Sequence, residues 1–131
     1  MKHFVLALSL VSVMFAQAHQ DTAKMYKDMR ENGIMMTEKM IPALKEVKAC
    51  VGDATTYDVA IECTKTIEKI VGKSDEPVYD KEKGWNEYTK KKAVFDLDVA
   101  IHESVEANKC YKSSEDYASF QKCVDDAEIS Y

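Results

Sequence analysis

Four cysteines, Cys50, Cys63, Cys110 and Cys123, stand in two C-x12-C pairs and constrain this chain more than any other feature. An even cysteine count in an exported chain argues for disulfides. Four cysteines allow three pairings, and the matched gap favours Cys50–Cys63 and Cys110–Cys123. Each bridge would close a short loop, worth roughly 3 kcal/mol in the chain-entropy model. Other thiol chemistry finds no support in the spacing. Without C-x-x-C, neither a thioredoxin-like redox pair nor a zinc ribbon is expected, and without C-x-x-C-H covalent haem attachment is not expected either.

The premise of export comes from the N-terminus. Met1-Lys2-His3 is a short basic start, Phe4 to Phe15 is apolar apart from Ser9 and Ser12, and Ala16-Gln17-Ala18 supplies small residues around a cleavage point. This pattern predicts a signal peptide over 1–18 and a mature domain over 19–131. The apolar run has 12 residues, whereas a membrane-spanning helix needs about 20, so no stable membrane insertion is expected after cleavage. The expected destination is the bacterial periplasm, otherwise the extracellular space. The lack of an N-x-S/T sequon suits the periplasm.

Composition narrows the class further. A chain of 131 residues points to one domain, and 46% hydrophobic with 31% charged residues, four Gly and two Pro argues against a disordered or low-complexity chain. A formal net charge of −5 would repel phosphate, so nucleic acid is not an expected partner.

A shift of 60 residues lays one half of the chain on the other. Cys50 falls on Cys110, Tyr57 on Tyr117 and Cys63 on Cys123, with Ile41, Glu46 and Glu68 matching Ile101, Glu106 and Glu128. The shared C-x6-Y-x5-C pattern predicts an internal duplication. Each half reads as a helical hairpin. In the first, Met25, Met29, Met36, Met40, Ala43, Leu44, Val47 and Val51 share one stripe at helical spacing, in phase across Pro42. Gly52-Asp53 marks a stop, Thr55 with Asp58 a capping box, and Val59, Cys63, Ile67 and Ile70 a second stripe ending at Gly72. In the second, Val94, Leu97, Ile101, Val105 and Asn108 follow helical spacing, Ser113 with Asp116 is again read as a capping box, and Tyr117, Phe120, Val124, Ala127 and Tyr131 form the last stripe. Residues 73–84 are charged, with one Pro and one Gly, and read as a linker. The expected fold is all-α: four main helices as two disulfide-braced hairpins, 19–72 and 85–131.

Candidate site residues follow from side-chain chemistry. Met25, Met29, Met36 and Met40 share a face, and the duplication sets Trp85 opposite Met25. Thioethers are flexible and polarizable, so the stripe is either bundle core or the lining of a groove for an apolar ligand or a partner's helix. Thioethers also suit Cu(I), and His19 at a new N-terminus would offer an amine and an imidazole, so a soft-metal site using His19, Met25 and Met29 is an alternative. Asp98, His102 and Glu106 follow one helix edge, but the outer two stand about 12 Å apart, too far to share one ion. That edge and Lys90-Lys91-Lys92 read as solvated faces.

Nothing in the chain carries a catalytic signature: H-E-x-x-H, G-x-S-x-G and a Gly-rich phosphate loop are all missing, and paired cysteines leave no thiol nucleophile. No cofactor is expected. In outline the chain resembles small exported helical proteins braced by paired cysteines. Its spacing departs from twin C-x9-C hairpins and from the six-cysteine pattern of insect odorant-binding proteins. The expectation is a non-enzymatic binding protein for an apolar ligand or a partner helix; the alternatives are a copper carrier and an interaction module without a small ligand.

Overall fold

The computed structural model describes residues 22–73 and 81–129. The expected signal peptide, His19, positions 74–80 of the linker and Tyr131 lie outside the described residues. The described chain is all-helical: α1 (Thr22–Asp53), α2 (Tyr57–Cys63), α3 (Lys65–Val71), a 3-10 turn at Lys81–Lys83, α4 (Glu87–Ser113) and α5 (Tyr117–Asp126). Only Thr64 separates α2 from α3. It keeps right-handed helical angles, and its hydroxyl donates to the Ile61 carbonyl at 2.7 Å. With α2 and α3 as one interrupted arm, the helices number four, as the periodicity predicts. Among the described residues no helix is long and apolar enough to cross a membrane.

The long helix α1 runs through Pro42, which is exposed. Both expected capping boxes are corrected. The N-cap of α2 is Thr56, one residue past Thr55, and its hydroxyl accepts from the Val59 amide at 3.3 Å. Because the third helical residue is then Val59, no side chain can answer the cap and no box forms. Ser113 closes α4 and caps nothing downstream. Asp116 caps α5 instead, accepting from the Ser119 amide at 2.7 Å, and the Ser119 hydroxyl completes a true capping box. The short polar side chain nearest the first helical turn takes the amide, and in each half that residue directly precedes the tyrosine.

The cysteines pair as the spacing predicts, Cys50 with Cys63 and Cys110 with Cys123, with Cα atoms 5.7 and 5.6 Å apart. Each bridge ties the last turn of a long helix to the short helix after it.

The chain divides into two compact units, and neither follows the halves of the sequence. One comprises Lys39–His102; the other takes the described residues before Lys39 together with those from Glu103 onward. Each unit therefore contains the C-terminal part of one long helix, the short arm bridged to it, and the N-terminal part of the other long helix.

In the Lys39–His102 unit the buried residues include Leu44, Val47, Val51, Ala60, Cys63, Ile67, Ala93 and Leu97. Here the indole N–H of Trp85, two residues before α4, donates to the Ala54 carbonyl just past α1 at 2.9 Å, and Lys48 of α1 forms an ion pair of 2.5 Å with Asp98 of α4. In the other unit Tyr26, Met29, Ala107, Cys110, Tyr111, Phe120, Val124 and Ile129 form one buried cluster. The Tyr111 and Phe120 rings stack at 4.5 Å between centroids. The Tyr26 hydroxyl donates to the Ser114 carbonyl at 3.2 Å, and Arg30 donates to the Tyr111 and Lys112 carbonyls at 2.7 and 2.9 Å. A guanidinium there satisfies carbonyls that the last turn of α4 leaves without helical partners. Deeper in, the Asn108 amide donates to the Thr37 hydroxyl at 2.8 Å, which donates to the Gly33 carbonyl at 2.8 Å.

The 60-residue shift also relates these features. The long helices end at Asp53 and Ser113, the caps are Thr56 and Asp116, and the short helices start at Tyr57 and Tyr117. Buried positions 33, 37, 44, 47, 51, 54 and 60 recur at 93, 97, 104, 107, 111, 114 and 120. Along each long helix they step by four, seven, three and four, the heptad spacing of packed helices.

Candidate functional site

The structure separates the residues singled out by periodicity. Met29 is buried in the aromatic cluster, where its thioether is core. Met25, Met36 and Met40 are half-buried along α1, and Met35 is exposed. Met25, Met29 and Met36 lie in one compact unit, Met40 and Trp85 in the other, so neither unit holds all five. Trp85 has a structural task, closing the end of α1 through the Ala54 carbonyl.

The two most exposed large apolar side chains among the described residues stand elsewhere, on the outer face of α4: Tyr88 is 75% exposed and Phe95 65%, with Val99 on the same face at 39%. An α-helix turns about 100° per residue, which sets Phe95 about 160° around the axis from the buried Leu97, with Tyr88 and Val99 within about 40° of Phe95. Three apolar side chains thus form a stripe on the side opposite the core, where a monomer gains nothing by placing them.

Charges flank this stripe. Lys91 lies 3.8 Å from Glu87, Lys92 is 2.7 Å from Asp96, and Asp98 pairs across to Lys48. His102 is exposed at the C-terminal end of the same face. The positions 60 residues earlier are Asp28, Met35, Lys39 and Pro42, so α1 presents two charged and no aromatic residues where α4 presents Tyr88, Phe95, Val99 and His102. Sequence reasoning passed over Phe95 because it followed only the stripe through Leu97. The available signal was a second apolar register, 88, 95 and 99, out of phase with the first.

The titrating groups with altered acidity have structural causes. Burial pushes the Tyr111 phenol up to about 12, with Tyr26 adding to it, and burial likewise raises Tyr26. The Ser119 amide, donating to the Asp116 carboxylate, lowers that group below the usual range, and the hydrogen bond to Asp126 raises Lys122. All four are accounted for by packing, capping or an i,i+4 pair rather than by a shared reactive centre.

Among the described residues no three His, Cys, Asp or Glu side chains gather as a metal site. Asp98 is engaged with Lys48 and Glu106 with Lys109, the solvated edge that the spacing predicts. Compared with family models, curated proteins and solved structures, the chain matches none.

Proposed function

We propose that this chain is a small exported binding protein, periplasmic or otherwise secreted, that works by non-covalent association through a helix face and performs no catalysis. The observation that supports this reading is the Tyr88–Phe95–Val99 stripe, exposed on the side of α4 away from Leu97. Aromatic side chains that face water cost solubility and are a common mark of a contact surface. Two disulfides fit an oxidising compartment.

Of the two ligand classes, a partner's helix is favoured over a small apolar molecule. A small ligand is held by burial in a concave pocket, whereas the stripe lies along the outside of a single helix and suits an apolar helix face laid against it. The half-buried Met25, Met36 and Met40 are the next candidates for contact, since thioethers adapt to irregular surfaces. A soft-metal carrier is less favoured because Met29 is committed to the buried cluster. The matched helix ends, caps and buried positions support an origin by duplication of one hairpin.

Native mass spectrometry of the protein purified from its own compartment tests the reading. A co-purifying mass, or an assembly, that disappears in the Phe95→Glu variant supports it. Recovery of a bare monomer from that compartment, with no bound species at any protein concentration, overturns it.

A further inference from the structure

We propose that the Cys50–Cys63 bridge is a redox-sensitive latch: a dithiol opens it in the folded protein and frees the α2–α3 arm, while Cys110–Cys123 stays closed and α5 stays in place. The inference goes beyond the Phe95 face and does not depend on what that face binds.

Two differences between equivalent parts of the two halves carry it. The first is access. Cys50 is exposed, whereas Cys110, 60 residues on, is buried in the cluster with Tyr111 and Phe120. Thiol–disulfide exchange needs an attacking sulfur to reach the bridge. The first bridge offers the exposed Cys50, and the second offers only the half-buried Cys123.

The second difference is what else holds each arm. Apart from Cys63, the α2–α3 arm buries Ala60, Thr64 and Ile67. The chain from α5 onward buries Phe120, Val124 and Ile129, with Phe120 stacked on Tyr111. Ala60 thus offers a methyl group where its equivalent Phe120 offers a ring, and Thr64 returns its hydroxyl to the Ile61 carbonyl where Val124 is wholly apolar. Stabilisation by burial grows with apolar area, so α5 is anchored by its own packing and the first arm much less so. Helix length acts in the same sense. α2 and α3 have seven residues each, with Thr64 between them, whereas α5 runs for ten behind a capping box. Helices this short do not persist in water without tertiary support. For the first arm a large share of that support is the bridge.

The exchange balances. One thiolate of the dithiol attacks the Cys50 sulfur, a mixed disulfide forms, and Cys63 leaves as a thiolate. The second thiolate of the dithiol then attacks its partner sulfur in the mixed disulfide and releases Cys50. The cysteine pair gains two electrons and two protons, and the dithiol ends as a disulfide. The released arm turns Ile67 and Cys63 to water. A disulfide donor runs the same two steps in reverse and closes the latch.

Hydrogen exchange read by mass spectrometry tests this on the mature protein, with dithiothreitol as the dithiol and no denaturant. On reduction the amides of 57–71 are expected to lose at least about tenfold in protection while 117–126 keep theirs, and oxidised glutathione restores the first pattern. The Cys50→Ser/Cys63→Ser variant shows the open pattern without reductant, and Cys110→Ser/Cys123→Ser still loses protection over 57–71 when reduced. Should either variant fail to fold, the reduced wild type decides. An arm that stays protected once alkylation has shown Cys50–Cys63 open overturns the proposal. So does loss of protection in both arms together, or a first bridge that resists dithiothreitol until the whole chain unfolds.

Discussion

The α-carbon of Gly33 lies against the ring of Tyr111: a methyl group added there would come within 2.3 Å of Cζ. In the middle of α1 glycine costs about 1 kcal/mol of helix propensity relative to alanine, so this position gives up local stability to admit a buried ring. Gly33→Ala is expected to destabilise by roughly 1–3 kcal/mol despite the better propensity, because the ring it would strike is buried and stacked on Phe120. At the positions related by the 60-residue shift, the other unit carries Ala93 and Val51. Gly33→Ala with Tyr111→Val therefore installs the residues that the chain carries at the equivalent positions. Urea denaturation should find the double variant more stable than the sum of the two single changes.

Tyr26 and Trp85 do the same work in the two units. Each sends one donor to the carbonyl just past the end of a long helix, Ser114 and Ala54, themselves 60 residues apart. Tyr26→Phe removes the hydroxyl alone and is expected to cost about 1 kcal/mol, with the Ser114 carbonyl left unpaired in a buried position. Trp85→Phe loses the donor and some packing, so its cost should exceed that of Tyr26→Phe. Thermal unfolding of both variants measures the difference, and equal melting temperatures for wild type and Tyr26→Phe would remove the bond from any role in stability.

These relationships mark where sequence reasoning reaches its end. The cysteine pairing was legible because equal gaps leave one symmetric solution. Helix existence and phase were legible for Ala43, Leu44, Val47 and Val51, whose period is set locally. The cap of α2 fell one residue late because Thr55 and Thr56 are chemically alike, and only backbone geometry decides which of them faces the free amides. The bond from Tyr26 to Ser114 spans 88 positions, and no local pattern announces a donor that meets a backbone carbonyl so far along the chain. The same holds for the compact units. Disulfides are visible as residues and stay within each half, whereas the ion pairs and hydrogen bonds between α1 and α4 depend on how two long helices align. Phe95 was missed for a different reason, since a search for one apolar stripe per helix has no place for a second.

The disulfides close loops of equal length, yet they differ in access. Cys50 is exposed and Cys63 buried, whereas Cys110 is 1% exposed in the aromatic cluster and Cys123 is partly covered. Thiol attack requires an approach to sulfur, so dithiothreitol under native conditions should open Cys50–Cys63 first. Alkylation of partially reduced protein followed by peptide mass analysis reports the order. Replacing either pair with serines should cost a similar loop-entropy term of roughly 3 kcal/mol, since the separations are the same. Simultaneous reduction of both bridges would mean that reduction proceeds through global unfolding.

Tyr111 makes stability depend on pH at the alkaline end. Burial raises its phenol from the usual 10 to about 12, and Tyr26 shifts the same way. A group that binds its proton more tightly when folded contributes stability that is fully present below the unfolded value and is lost as pH rises through the folded one. The free energy of unfolding should therefore hold steady up to about pH 10 and fall between pH 10 and 12, by up to about 3 kcal/mol from Tyr111 alone. Tyr111→Phe keeps the stacked ring against Phe120 and removes the ionisation. Denaturation midpoints measured from pH 8 to 12 should decline less steeply in this variant, and an identical decline in both proteins would assign the alkaline loss to other groups.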